Sequence, residues 1–169
     1  MDLYLLRHGI AVNAEDLPTG ADRPLTDKGV KRMRKAARGL RRLGMKFEAI
    51  LTSPLARAHQ TATIVAEALG REAQISVSEA LKPDGSADEL LSSLKDYNGC
   101  ASVLLVGHEP LLGETVSYLL GAKKTSNMKI GLKKGGLVLI EVDSLPPRNP
   151  GTLHLMLGPK ILRRLGAGG

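Results

Sequence analysis

Five side chains able to do chemistry stand at or beside the ends of apolar runs. Arg7 and His8 follow LYLL, Arg57 follows AILTSPLA, His108 follows SVLLVG, and Arg23 is available from the first loop. Guanidiniums bind anionic oxygens through paired hydrogen bonds, and a neutral imidazole, with a reference pKa of about 6.5, is a nitrogen nucleophile at neutral pH. Neighbouring cations oppose its protonation. Gathered in one crevice, two or three arginines, imidazole donors and a helix N-terminus would suit a tetrahedral dianion such as phosphate. Any one of these signals is weak, since a His beside an Arg at a strand end is more often a structural pair. Their recurrence at three strand ends is what carries weight.

Other chemistries fit poorly. There is no P-loop pattern and no aspartate cluster for Mg²⁺, which sets aside nucleotide hydrolysis by that route. Two histidines fall short of the three or four ligands of a tetrahedral zinc site, and flanking arginines would repel the ion. No metal or other cofactor is expected. There is no catalytic cysteine or serine elbow, and Cys100 reads as a small half-buried residue before a strand.

Such side chains need a scaffold that gathers strand ends. Leu3–Leu6, Ala49–Thr52 and Val103–Val106 read as short buried strands, and in open α/β sheets the ligand crevice lies outside the carboxyl ends of the strands. Gly9 and Gly107 allow close approach there. A loop over Ile10–Pro24 is long enough to fold across a site. Thr26 then caps a helix running to about Leu43, with Val30, Met33, Ala37 and Leu40 on one buried stripe. Ser53 as N-cap with Pro54 at the first helical position starts a second helix to Leu69, whose N-terminus is expected to face the crevice. Further on, a short strand is expected at Val77, a helix over Ala87–Leu94, and another from Pro110 to near Gly121. Gly136–Val142 and Thr152–Leu157, joined through LPPRNPG, suggest an antiparallel hairpin at a sheet edge.

The chain of 169 residues, 43% of them hydrophobic, fits one domain over 1–160, with 161–169 expected as a frayed tail. Net charge is +7, and eight of the 24 basic residues lie in the helix over 26–43. A solvated helix face explains them simply; a docking surface for an acidic protein is the sharper alternative. Aromatics make up only 2%, which argues against a base-stacking surface, so no nucleic-acid partner is expected. No apolar stretch reaches membrane-spanning length, and the first residues lack a basic n-region and a cleavage site, so a cytoplasmic location and no membrane association are expected.

LLRHG, RPLTDKG, LTSPLARAHQTA and VGHEP, in this order and spacing, resemble the histidine phosphatase superfamily, and closely its small phosphohistidine phosphatase branch. The resemblance spans about residues 1–157. It implies a three-layer α/β/α sandwich with a mostly parallel central sheet, phosphoglycerate mutase-like. It also implies that His8 attacks phosphorus and is transiently phosphorylated, that Arg7 and Arg57 clamp the phosphoryl oxygens, and that His108 donates to them. Arg23 would lie near the phosphate. Ser53 matches the family's SP element, but its helix-cap role already accounts for it. The expected substrate is a phosphorylated protein bearing phosphohistidine, with phosphate as the bound group.

Larger members use a mid-chain carboxylic acid to protonate the leaving oxygen. Here Glu79 and Asp84 are the candidates, but LKPDG over Leu81–Gly85 resembles the small branch, which lacks that acid. Loss of a general acid costs typically about 10²- to 10⁴-fold for an alkoxide, and less for imidazole, a better leaving group. A small-molecule or phosphoserine/threonine monoesterase is the alternative enzyme, and a phosphate-dependent docking module without turnover the non-enzyme one.

Overall fold

A computed structural model of the chain describes residues 1–70, 75–122 and 128–168. The buried runs become neighbouring strands. β1 (Asp2–Arg7), β2 (Ala49–Thr52), β3 (Ile75–Val77), β4 (Ser102–Gly107), β5 (Leu137–Glu141) and β6 (Thr152–Leu157) form one sheet in the order β3-β2-β4-β1-β5-β6. β1, β2, β3 and β4 are mutually parallel, while β5 runs antiparallel to β1 and to β6. The mostly parallel sheet with an antiparallel edge pair is therefore present as expected.

Five α-helices cover its two faces among the described residues: α1 (Asp27–Arg42), α2 (Ala56–Leu69), α3 (Ala87–Ser93), α4 (Leu111–Leu119) and α5 (Pro159–Leu165). Alternation along the buried strands divides the core. Tyr4, Leu6, Ile50, Leu104 and Val106 pack with α1, α2 and α5, whereas Leu3, Leu5, Leu51, Val103 and Leu105 pack with α3 and α4. Register then fixes the site. Arg7 lies opposite Gly107 and Thr52 opposite Val106, so the next residues, His8, His108 and Ser53, emerge together at the carboxyl edge.

Local chemistry at the helix ends follows the sequence in two places. Thr26 Oγ1 accepts the Gly29 N–H at 2.9 Å, and Ser86 and Glu89 form a reciprocal capping box on α3. Two expectations are corrected. Helix α2 begins at Ala56, not after Ser53, and no side chain of its cap position closes it. Ser53 is instead fully buried and turned toward His108.

Nor is the stretch 161–169 a frayed tail over its described part. Pro159–Leu165 is helical, Leu162 is fully buried in the core beside α1, and Arg38 and Arg42 donate to the carbonyls of Gly166 and Leu165. These bonds satisfy carbonyls that a helix end leaves open. The two helices cross so closely that a Cβ at Gly39 would stand 2.2 Å from the Leu162 carbonyl oxygen. Residues 71–74, 123–127 and Gly169 lie outside the described residues, and with them part of the expected basic connection over 123–134. No helix among the described residues is long and apolar enough to cross a membrane.

Candidate active site

The end of β1 is braced from both sides. The His8 N–H donates to the Gly107 carbonyl at 3.1 Å, and Gly135 N–H donates to the carbonyls of Arg7 and His8 at 3.0 and 3.1 Å. The Gly9 N–H donates to Thr61 Oγ1 at 3.0 Å, and that hydroxyl donates to the Arg57 carbonyl at 2.7 Å, tying β1 to the first turns of α2. A Cβ at Gly9 would stand 2.6 Å from Met33 Cγ of α1, so a larger residue there would force the Met33 side chain to shift.

The His8 ring is buried, with Nδ1 2.7 Å from the carbonyl oxygen of Gly9. A carbonyl only accepts, so the proton sits on Nδ1, and the lone pair is on Nε2. That fixed tautomer leaves a nitrogen nucleophile directed away from its own backbone.

The second imidazole, His108, is 2% exposed, and its ring centroid lies 4.9 Å from that of His8. Its Nε2 is 2.9 Å from Ser53 Oγ. Ser53 Oγ also accepts the Leu55 N–H at 3.4 Å and keeps both a proton and a second lone pair to offer Nε2. With Ser53 donating, His108 carries its proton on Nδ1, an atom buried without a partner in the protein. Arg7 Nε is buried and unpartnered in the same way. Desolvated donors left unpaired cost about 1–3 kcal/mol each, and the oxygens of a bound phosphoryl group would satisfy both.

The Arg7 guanidinium is held from behind. Its Nη1 donates to the Leu132 carbonyl at 2.7 Å, and the Leu132 N–H donates to Glu109 Oε1 at 2.6 Å. Glu109 thus fixes the segment that aims Arg7. Arg57 projects from the first turn of α2, with Nη1 3.9 Å from Asp22 Oδ1. Asp22 Oδ2 also accepts the Ala56 N–H at 2.6 Å, so a loop carboxylate, not Ser53, closes the N-terminus of α2. Arg23 is anchored by a 2.7 Å bond from Nε to the Val12 carbonyl. Burial lowers the pKa of Arg57, and repulsion from Arg23 adds to this, while Asp22 opposes it.

Burial pushes the His8 pKa down to about 3, reinforced by the charges of His108, Arg57 and Arg7. Burial, then Arg57 and Arg7, pushes His108 down to about 4. Both rings therefore stay neutral at neutral pH. An unfolded chain protonates them near pH ~6.5, so below that value the unfolded state binds more protons and stability falls with pH. In phosphate-free buffer the thermal midpoint is expected to drop between about pH 7 and 5, above the main carboxylate range. A His8→Asn/His108→Asn double variant should flatten that slope; an equal slope in both chains would show that the rings do not cause it.

Of the expected residues, the structure brings His8, His108, Arg7 and Arg57 together, with Arg23 near enough to act on Arg57. Glu79 and Asp84 are both exposed, and Glu79 is engaged by Lys82. His59 is exposed on α2, and His154 pairs with Glu141 at 2.7 Å on the edge hairpin. Among the described residues no three His, Cys, Asp or Glu side chains gather as metal ligands would. Sequence reading gave Ser53 only a helix-cap role and passed over Asp22, and it could not name the segment that Glu109 braces. For Ser53 a signal existed, since it directly follows a strand end; for Asp22 and Glu109 only the fold supplies the partner.

Comparison with known proteins adds four findings. A family description, histidine phosphatase superfamily (branch 1), matches residues 3–82. The phosphohistidine phosphatase SixA of Escherichia coli (strain K12) is 34% identical over 121 residues, covering 70% of this chain and 74% of that protein. A solved structure of the protein histidine phosphatase SixA complexed with tungstate superposes with a TM-score of 0.82 at 28% identity, covering 96% of this chain and 99% of that one. An uncharacterized protein of Picosynechococcus sp. is 40% identical over 167 residues, 96% of this chain and 99% of its own length.

Proposed function

This chain belongs to the histidine phosphatase superfamily, and from that premise we propose that it is a phosphohistidine phosphatase acting on a phosphorylated protein through a phospho-His8 intermediate. The observation that carries the reading is the His8 tautomer: Nδ1–H is tied to the Gly9 carbonyl, leaving a neutral Nε2 beside His108 and within the field of Arg7 and Arg57. Its likeness to a phosphohistidine phosphatase supports the substrate class.

In the first step Nε2 of His8 bonds to phosphorus as the P–N bond to the substrate imidazole breaks, and the departing imidazole takes its proton from solvent. Arg7 and Arg57 balance the charge on the phosphoryl oxygens, and His108 Nδ1–H donates to one of them. Water then attacks phospho-His8, releasing inorganic phosphate and restoring the free ring. Arg23 supports the clamp from the loop side. Such a path needs no protein acid, in keeping with the exposed Glu79 and Asp84.

The test compares kcat/KM on a phosphohistidine-bearing protein, a phosphoserine peptide and an aryl phosphate. Phosphohistidine is expected to be preferred by about 10²-fold or more, the typical lower value of a missing general acid for the esters. Preference for the esters would instead support a monoesterase that recruits Glu79 or Asp84, and inactivity on all three would favour a docking module.

A further inference from the structure

Beside the phosphoryl crevice a groove of roughly 720 Å³ runs between α1 and α5, sharing Arg7 and Gly9 with the site. Its rim is cationic. Arg32 comes from α1, Lys133 and Lys134 from the segment before β5, and Lys160, Arg163 and Arg164 from α5. No carboxylate lines the groove, and among the described residues none of these six cations forms an ion pair. The floor is apolar, built from Met33, Ala36, Pro159 and Ile161, with Ile161 49% exposed.

An apolar floor between cationic rims matches one kind of partner best. A small polyanion would meet the rim and leave the floor wet. A single-stranded nucleic acid would want aromatic platforms, and no aromatic side chain lines the groove. An amphipathic helix with an apolar ridge and acidic flanks satisfies both surfaces at once, with the ridge covering Pro159 and Ile161 and the flanks meeting the rims. Continuity with Arg7 would place such a helix beside the phosphoryl-binding end of β1.

We propose that the groove between α1 and α5 docks an acidic amphipathic helix of the phosphorylated protein and so presents its phosphorylated side chain to His8. This rests on the proposed activity toward a phosphorylated protein. Part of the chain's excess positive charge then serves to steer and hold a partner.

The test uses the full chain, with a fluorescent amphipathic peptide of about five helical turns carrying leucine on one face and glutamate on the other. A control peptide has glutamine in place of glutamate. Fluorescence anisotropy should show the acidic peptide binding at least about tenfold more tightly than the control, with the difference shrinking at ~0.3 M salt. Arg32→Glu/Lys160→Glu/Arg163→Glu should lose about tenfold or more in affinity, and the corresponding glutamine triple should fall between it and the parent chain. None of the three residues belongs to the phosphoryl crevice. Hydrolysis of phosphoramidate should therefore stay within about twofold in both triples, with thermal midpoints close to the parent.

Absence of peptide binding to the parent chain, equal binding by the Glu triple, or tighter binding of a single-stranded oligonucleotide abolished by the same substitutions would each overturn the proposal. The binding arm does not depend on turnover. Failure to hydrolyse phosphohistidine would remove the activity reading and leave the peptide result to decide the groove.

Discussion

Replacing His8 with alanine is expected to lower kcat/KM on phosphohistidine by about 10⁴-fold or more, the scale seen when a covalent nucleophile is removed. The expectation rests on geometry more than on residue type. His8 and His108 are both buried neutral imidazoles, but only His8 has its Nδ1 pinned by a backbone carbonyl so that Nε2 is left as a free lone pair. His108 has Nε2 engaged by Ser53, and with Ser53 donating it offers Nδ1–H instead. The two rings are thereby assigned opposite tasks, one attacking and one donating.

Binding of inorganic phosphate should survive the substitution within a few-fold, because Arg7, Arg57 and His108 are untouched. Isothermal titration with phosphate, together with trapping of a labelled phosphoenzyme that appears in the parent chain and not in the variant, would check both halves. A variant that kept full activity would remove His8 as the nucleophile. A variant that lost phosphate binding as well would show that the ring serves chiefly to shape the pocket.

The second large effect is expected for Arg7→Lys, which should reduce kcat by about 10²- to 10³-fold, comparable to loss of a preorganised oxyanion donor. Charge is conserved in this change, so the loss comes from geometry. The guanidinium uses Nη1 to hold the Leu132 carbonyl, which Glu109 fixes in turn, while its buried Nε has no partner in the protein. A lysine ammonium is a single point and cannot keep the brace while also presenting a second fixed donor to a phosphoryl oxygen. KM should change less than kcat if the lost contact matters most in the transition state. Steady-state kinetics on a phosphohistidine protein separates the two constants; a rise confined to KM would show that Arg7 serves ground-state binding alone.

Much of the arrangement is legible in the chain itself. Short runs such as LYLL, AILT and VLLV are buried on both faces, and such continuous apolar runs read as parallel strands whose ends carry the polar residues. Because side chains at successive strand ends must emerge at one edge of a parallel sheet, Arg7, His8 and His108 group together from their positions alone. Arg57, in the first turn of the helix that follows β2, follows by the same logic. The helix α1 is equally plain, with a Thr cap, an apolar stripe and basic residues elsewhere.

Other assignments depend on partners distant in sequence. Ser53 has the local pattern of a helix cap, and a propensity reading stops there; only the register of β2 beside β4 sets its hydroxyl against His108. Asp22 lies 34 residues from the helix end it closes, and Glu109 holds Arg7 through a segment 23 residues further on. The Gly-rich tail conceals α5 for a related reason. The helix is short, and the burial of Leu162 and the hydrogen bonds from Arg38 and Arg42 that hold it exist only once α1 is in place.

The sequence by itself determined which side chains reach the sheet edge, because burial periodicity is a local property of the chain. The tertiary structure alone decided which nitrogen of His8 carries its proton, what aims Arg7, and that cations from α1, α5 and the segment before β5 close around one apolar groove. The last two are contacts between residues far apart in the chain, and no local spacing encodes them.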